Sequence, residues 1–129
     1  MELAAAAAAL SVLLLAALVA AAPPDKYNAR YDHTDVDAVL RNQRVLASYI
    51  KCMLDTGPCT PEGRELRKHM PEALRTNCDK CTDAQKKIVR KLSLHVREHQ
   101  PVQWELLSKK FDPQQRYHES FQKFLDAAA

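Results

Sequence analysis

Apolar residues recur along this chain at helical spacing. Val45, Leu46, Tyr49, Ile50, Met53 and Leu54 fall at i, i+1, i+4, i+5, i+8 and i+9. That is a wide stripe on one helix, from about Asn42 to Leu54. Val36, Val39 and Leu40 share a face on a shorter helix before it, over Asp35 to Arg41. Asp55-Thr56-Gly57-Pro58 ends the first stripe with turn chemistry. Thr60-Pro61-Glu62 opens the next helix with a hydroxyl cap, a first-turn proline and an acid at the positive end of the dipole. Its face is Leu66, Met70, Ala73 and Leu74, and Pro71 is expected to kink or split it.

Thr82-Asp83-Ala84-Gln85 is a capping box and opens the longest helix, with Ile88, Val89, Leu92 and Val96 as its stripe. Gln100-Pro101 closes that helix and begins another, which carries Val102, Trp104, Leu106, Leu107 and Phe111. Asp112-Pro113 repeats the cap-then-proline signature, and Tyr117, Phe121, Phe124 and Leu125 follow at helical spacing. The prediction is all-α, with about six amphipathic helices. The only alternating run, Leu92 to Val96, lies inside the strongest helical window. Residues 23–30 and the last three alanines read as loose tails.

Composition changes this picture at the N-terminus. All of residues 1–22 except Glu2 and Ser11 are apolar. We read this segment as a secretory signal: it is N-terminal, it ends in small residues, and Pro23-Pro24-Asp25 follows. Cleavage is expected after Ala21 or Ala22, which leaves no second apolar segment and no stable membrane insertion. The helical domain then spans 31–126. Losing Glu2 from the 16 acids leaves 15 against 19 bases, a formal net charge of +4. These charges are interspersed, with no basic stripe interleaved by aromatics, so nucleic acid is not an expected partner. Two glycines leave no scope for a phosphate loop or a dinucleotide fingerprint, and no cofactor is expected.

The four cysteines, at 52, 59, 78 and 81, have the spacing C-x6-C-x18-C-x2-C. In a secreted chain this even count reads as two disulfides, with three connectivities open. Six intervening residues fit a zinc site poorly, so no metal is expected. Cys78-Asp-Lys-Cys81 resembles a redox pair but has no βαβ pattern around it. His95-Val96-Arg97-Glu98-His99 matches a zinc-protease pattern. A catalytic site would need a third ligand and a substrate cleft, and only 30 residues follow His99, so we read the pair as helix surface. The chain is not expected to be an enzyme.

Further residues carry a family resemblance. Tyr31-Asp32 and Asp35-Val36-Asp37 are followed by N-Q-R-V-L-x-x-Y-x-x-C, ending at Cys52. L-D-T-G-P-C-T-P-E-G-R-E-L runs from Leu54 to Leu66, and P-E-A-L-R-T-N-C-D-K-C-T from Pro71 to Thr82. With Gln85-Lys86-Lys87, Pro101, Trp104, Lys109 to Pro113 and Tyr117, this resembles the insect chemosensory proteins, the OS-D-like and pheromone-binding A10-like family. The match covers about residues 31–117. The resemblance implies a secreted six-helix domain around a hydrophobic tunnel, with Cys52 bridged to Cys59 and Cys78 to Cys81. Such short loops contribute only roughly 2 kcal/mol each in the loop-entropy account. The chain departs from the family at His33-Thr34, at Lys68-His69-Met70 and at Gln114-Gln115-Arg116. Ligand preference is where these departures are expected to tell.

The resemblance also implies a carrier of long-chain fatty acids, alcohols, esters and semiochemicals in extracellular fluid, acting as a monomer; a receptor is unknown. An alkyl chain needs convergent apolar faces. The candidates are Leu46, Tyr49, Ile50 and Met53; Leu66, Met70 and Leu74; Ile88 and Val89; and Trp104, Leu107 and Phe121. Each would serve equally as ordinary core. Tyr31, Tyr49, Tyr117 and Gln85 are candidates to hydrogen-bond a polar head, and the resemblance places positions 31, 49, 85 and 104 near the tunnel. The alternative reading is a secreted helical factor acting through its surface on membranes or proteins, in development or defence.

Overall fold

The computed structural model describes residues 26–127. The expected signal segment lies outside them. Among the described residues there are six α-helices, one 3-10 turn at Ala29–Tyr31, and no strand. The helices are α1 (Val36–Arg41), α2 (Gln43–Met53), α3 (Pro61–Thr76), α4 (Asp83–His99), α5 (Pro101–Phe111) and α6 (His118–Asp126). Their starts follow the local cap chemistry. Asp35, Asn42, Thr60 and Thr82 each accept a hydrogen bond from a backbone N–H three residues on. At Thr82 the box is complete, because Gln85 Oε1 accepts in return from the Thr82 N–H at 3.0 Å.

Of the two outcomes expected at Pro71, a kink or a split, the split does not occur: α3 runs unbroken from Pro61 to Thr76. Pro71 is exposed, so its missing N–H and its ring face water while the buried side of the helix stays intact. Asp112-Pro113 does not start the last helix. Asp112 is buried and its carboxylate accepts from the N–H groups of Arg116 (2.8 Å) and Tyr117 (3.0 Å). This holds residues 112–117 as an open turn, and α6 begins only at His118. Within the expected tail, two backbone groups meet the body of the domain. Tyr27 N–H donates to the Lys80 carbonyl at 2.9 Å, and Gln85 Nε2 donates to the Asn28 carbonyl at 2.9 Å.

The cysteines pair as neighbours, Cys52–Cys59 and Cys78–Cys81. Each bridge closes the connection between consecutive helices, α2 to α3 and α3 to α4. Beside the first, α3 crosses α2 closely at Gly63: a Cβ there would lie 3.2 Å from Cys52 Sγ.

The buried core forms two clusters. Ala73, Leu74, Cys78, Cys81, Val89, Phe121 and Leu125 make one; Leu46, Ile50 and Val96 make the other. Trp104 packs against both. Helix α4 is central and packs against α1, α5 and α6. Helix α5 contributes no fully buried side chain, and its Val102 and Leu106 are exposed. Contacts at its C-terminal end fasten it: Lys110 donates to the Met53 carbonyl at 2.7 Å and to the Asp55 carboxylate, which Arg67 also engages at 2.8 Å. Lys110 accordingly holds the Asp55 carboxyl below its usual range.

Candidate ligand-binding cavity

The helices leave two adjoining chambers between the clusters. The larger has a volume of about 320 Å³ and the smaller about 110 Å³. The larger lies within the range typical of small-molecule sites. Tyr49, Leu66, Met70, Val89 and Leu92 line both chambers, so they form the partition between them.

The amphipathic stripes explain this placement, since the apolar lining comes from the inward side chains of the helices. Helix α2 brings Leu46, Ile50 and Met53 to the larger chamber, and α3 adds Leu74. Trp104 and Leu107 from α5 and Phe121 from α6 complete that wall. Tyr31, Gln85 and Ile88 line the smaller chamber. Every apolar candidate read from the sequence thus borders one chamber or the other. Tyr117 borders neither; it packs against the first core cluster, and its backbone N–H is taken by Asp112. Gln85 borders the smaller chamber, but its amide is spent on the α4 cap and on Asn28. Its first role is to tie residues 26–30 to the body. His95 and His99 lie one turn apart on α4 with ring centroids 4.6 Å apart, and neither lines a chamber.

The smaller chamber has a polar end that the sequence reading missed. Tyr49 Oη donates to Glu62 Oε2 at 3.0 Å. Thr34 Oγ1 lies 3.4 Å from the same oxygen, though it is better placed on the Tyr31 carbonyl at 2.8 Å. Glu62 was legible only as a helix-start acid; its second role needs Tyr49 of α2 beside it. Tyr27 was also missed, because it fell in the supposed tail. Its ring stacks on His69 at 3.9 Å between centroids, and its hydroxyl donates to Glu72 at 3.0 Å. An aromatic residue in an otherwise polar leader was the available signal.

Burial, then the Glu72 hydrogen bond, pushes the Tyr27 phenol up to about 12. Burial and then Glu62 push Tyr49 up as well. Because the raised phenols favour their neutral forms in the fold, their contribution is full below the unfolded tyrosine pKa and is lost as pH rises through the folded values. An ultraviolet titration at 295 nm is therefore expected to show a late phase near pH 12, absent in Tyr27→Phe. Four tyrosines titrating together near pH 10 would contradict it.

The profile of the insect pheromone-binding family, A10/OS-D, matches residues 27–119. Ejaculatory bulb-specific protein 3 of Drosophila melanogaster is 40% identical over 104 residues, 81% of this chain and 82% of the relative. A chemosensory protein solved in complex with bromo-dodecanol superposes with a TM-score of 0.71 at 34% identity, covering 80% of this chain and all of that one (100%). The antennal chemosensory protein A6 from the moth Mamestra brassicae gives 0.65 at 32% identity, over 79% of this chain and 94% of its own. The chain belongs to the insect pheromone-binding family, A10/OS-D. The resemblance read from the cysteine spacing, the all-α fold and the pairing of neighbouring cysteines are borne out.

Proposed function

We propose that this protein is a secreted carrier that encloses a small, chain-like apolar molecule across both chambers and moves it through extracellular fluid. The observation that carries this reading is the shared partition. Five side chains border both spaces, and all but Tyr49 are aliphatic or thioether residues that can shift without exposing a polar group. The family relation supports it, as does the likeness to a chemosensory protein holding bromo-dodecanol. The chamber-lining residues named above are the proposed ligand contacts. No helix among the described residues is long and apolar enough to cross a membrane. In this reading, residues 1–22 deliver the chain to the secretory route, and the protein works as a monomer without catalysis.

Each methylene moved from water into an apolar chamber contributes about 0.8 kcal/mol, roughly a fourfold gain in affinity. Linear alkanols from eight to fourteen carbons are therefore expected to displace an apolar fluorescent dye with affinity rising roughly fourfold per carbon. The rise should level off once the chambers are filled. The protein should be recovered from the culture medium with its N-terminus at Ala22 or Pro23. No displacement, together with binding to anionic vesicles that follows their charge, would overturn this reading in favour of a surface-acting factor.

A further inference from the structure

We propose that His95 and His99, one turn apart at the end of α4, form a surface site for a tetragonal divalent cation, Cu(II) ahead of Ni(II) and Zn(II). Neither ring borders a chamber, so the site stands apart from the carriage of an apolar ligand.

The helix sets the spacing. Residues four apart lie on one helix face. The two imidazoles stand 4.6 Å apart between centroids, with their planes tilted by 47°. Two imidazoles on one metal, with bonds of about 2.1 Å, have centroids about 4.5 Å apart at a right-angle bite and about 5.2 Å apart at the tetrahedral angle. The observed spacing fits the right angle. That is the geometry of neighbouring positions on tetragonal Cu(II) and Ni(II), and Cu(II) heads the affinity order of the first-row divalent ions. Aiming one nitrogen of each ring at a shared ion takes rotation about the outer side-chain torsions, whose wells are broad in histidine. It takes no movement of the helix.

Both rings can receive an ion. His95 is half-buried, and among the described residues no hydrogen bond or ion pair engages it. His99 is 63% exposed, and its Nε2 faces only the exposed Glu98 carboxylate, 3.9 Å away. Glu98 thus puts negative charge beside the ion without closing the site, and water completes the coordination.

The surrounding charge suits a cation. This turn is the negative end of the α4 dipole. The two basic side chains nearest to it along the helix are turned elsewhere. Lys91 pairs with Asp37 of α1 at 3.0 Å, and Arg97 engages Gln122 and Asp126 of α6.

The test is isothermal calorimetry on the signal-free, oxidised chain with CuCl2, NiCl2 and ZnCl2, in a non-coordinating buffer at pH 7.4. One Cu(II) per chain is expected, bound at least about tenfold more tightly than Zn(II). His95→Asn and His99→Asn should each weaken it at least about tenfold, because a single imidazole loses the advantage of chelation. Electron paramagnetic resonance of the copper-loaded chain should show a tetragonal signal with nitrogen ligation, lost in the double variant. Cu(II) should also raise the urea midpoint of the wild type and leave that of His99→Asn where it was.

Absence of saturable Cu(II) binding to the wild type overturns the proposal whether or not the variants fold. Equal Cu(II) binding by a folded His99→Asn does the same, since it would place the ion on another histidine or on the amino terminus. Zn(II) bound as tightly as Cu(II) would contradict the right-angle bite.

Discussion

Leu66→Trp is expected to weaken binding of a twelve-carbon alkanol on the order of thirtyfold while leaving the protein folded. Leu66 projects from α3 and lines both chambers with Tyr49, Met70, Val89 and Leu92. An indole at this point fills the passage between them. A chain confined to one chamber leaves several methylenes uncovered. Three such groups, at about 0.8 kcal/mol each, amount to roughly 2 kcal/mol. The folding cost should be smaller than the 1–3 kcal/mol usual for overpacking, because the ring enters empty space and not a packed core. Calorimetry beside a urea melt separates the two effects. Full affinity in a folded Leu66→Trp would mean that the ligand never crosses the partition.

Leu125→Ala has the opposite signature, a loss of about 3 kcal/mol of stability. Leu125 is fully buried, in the cluster with Ala73, Leu74, Val89, Phe121 and the Cys78–Cys81 bridge. It lines neither chamber, so its removal opens a new void in solid core. Helix α6 has few other anchors. Arg90 of α4 lies over the Phe124 ring at 4.2 Å and donates to the Phe124 carbonyl at 3.1 Å. Arg97 pairs with Asp126 at 2.8 Å, at a largely exposed site where an ion pair adds little. Such a loss is a large part of the 5–15 kcal/mol that holds a domain of this size. The check is the urea midpoint at unchanged slope; a shift below about 1 kcal/mol would show that α6 is held by its polar contacts instead.

Much of the fold was legible because its signals are local. Asp35, Thr60 and Thr82 announce helix starts through a side chain that reaches only three residues along the chain. The apolar stripes name the inward faces, and the chambers lie where those faces fail to meet. The misreadings at Gln85 and Glu62 share one physical cause, a partner from another element, while that at Asp112 is local. Asp112 has the chemistry of a cap, yet it turns that chemistry on Arg116 and Tyr117 and keeps the turn open. Gln85 looks available to a ligand until Asn28 is brought beside it from 57 residues away. Glu62 is an ordinary first-turn acid until α2 places Tyr49 against it. Periodicity assigns a residue to a face; it does not say which polar groups from other elements will meet there.

Trp104 reports directly on whether an alkyl chain lies inside the helical shell. It is the only tryptophan in the chain. It lines the larger chamber and packs against both core clusters. Bromine quenches an indole only at close range, so 12-bromododecan-1-ol reports its own position. Saturable quenching of Trp104 at one ligand per chain is expected, reversed by unlabelled dodecan-1-ol. Fluorescence unchanged up to the solubility limit of the bromoalkanol would contradict it.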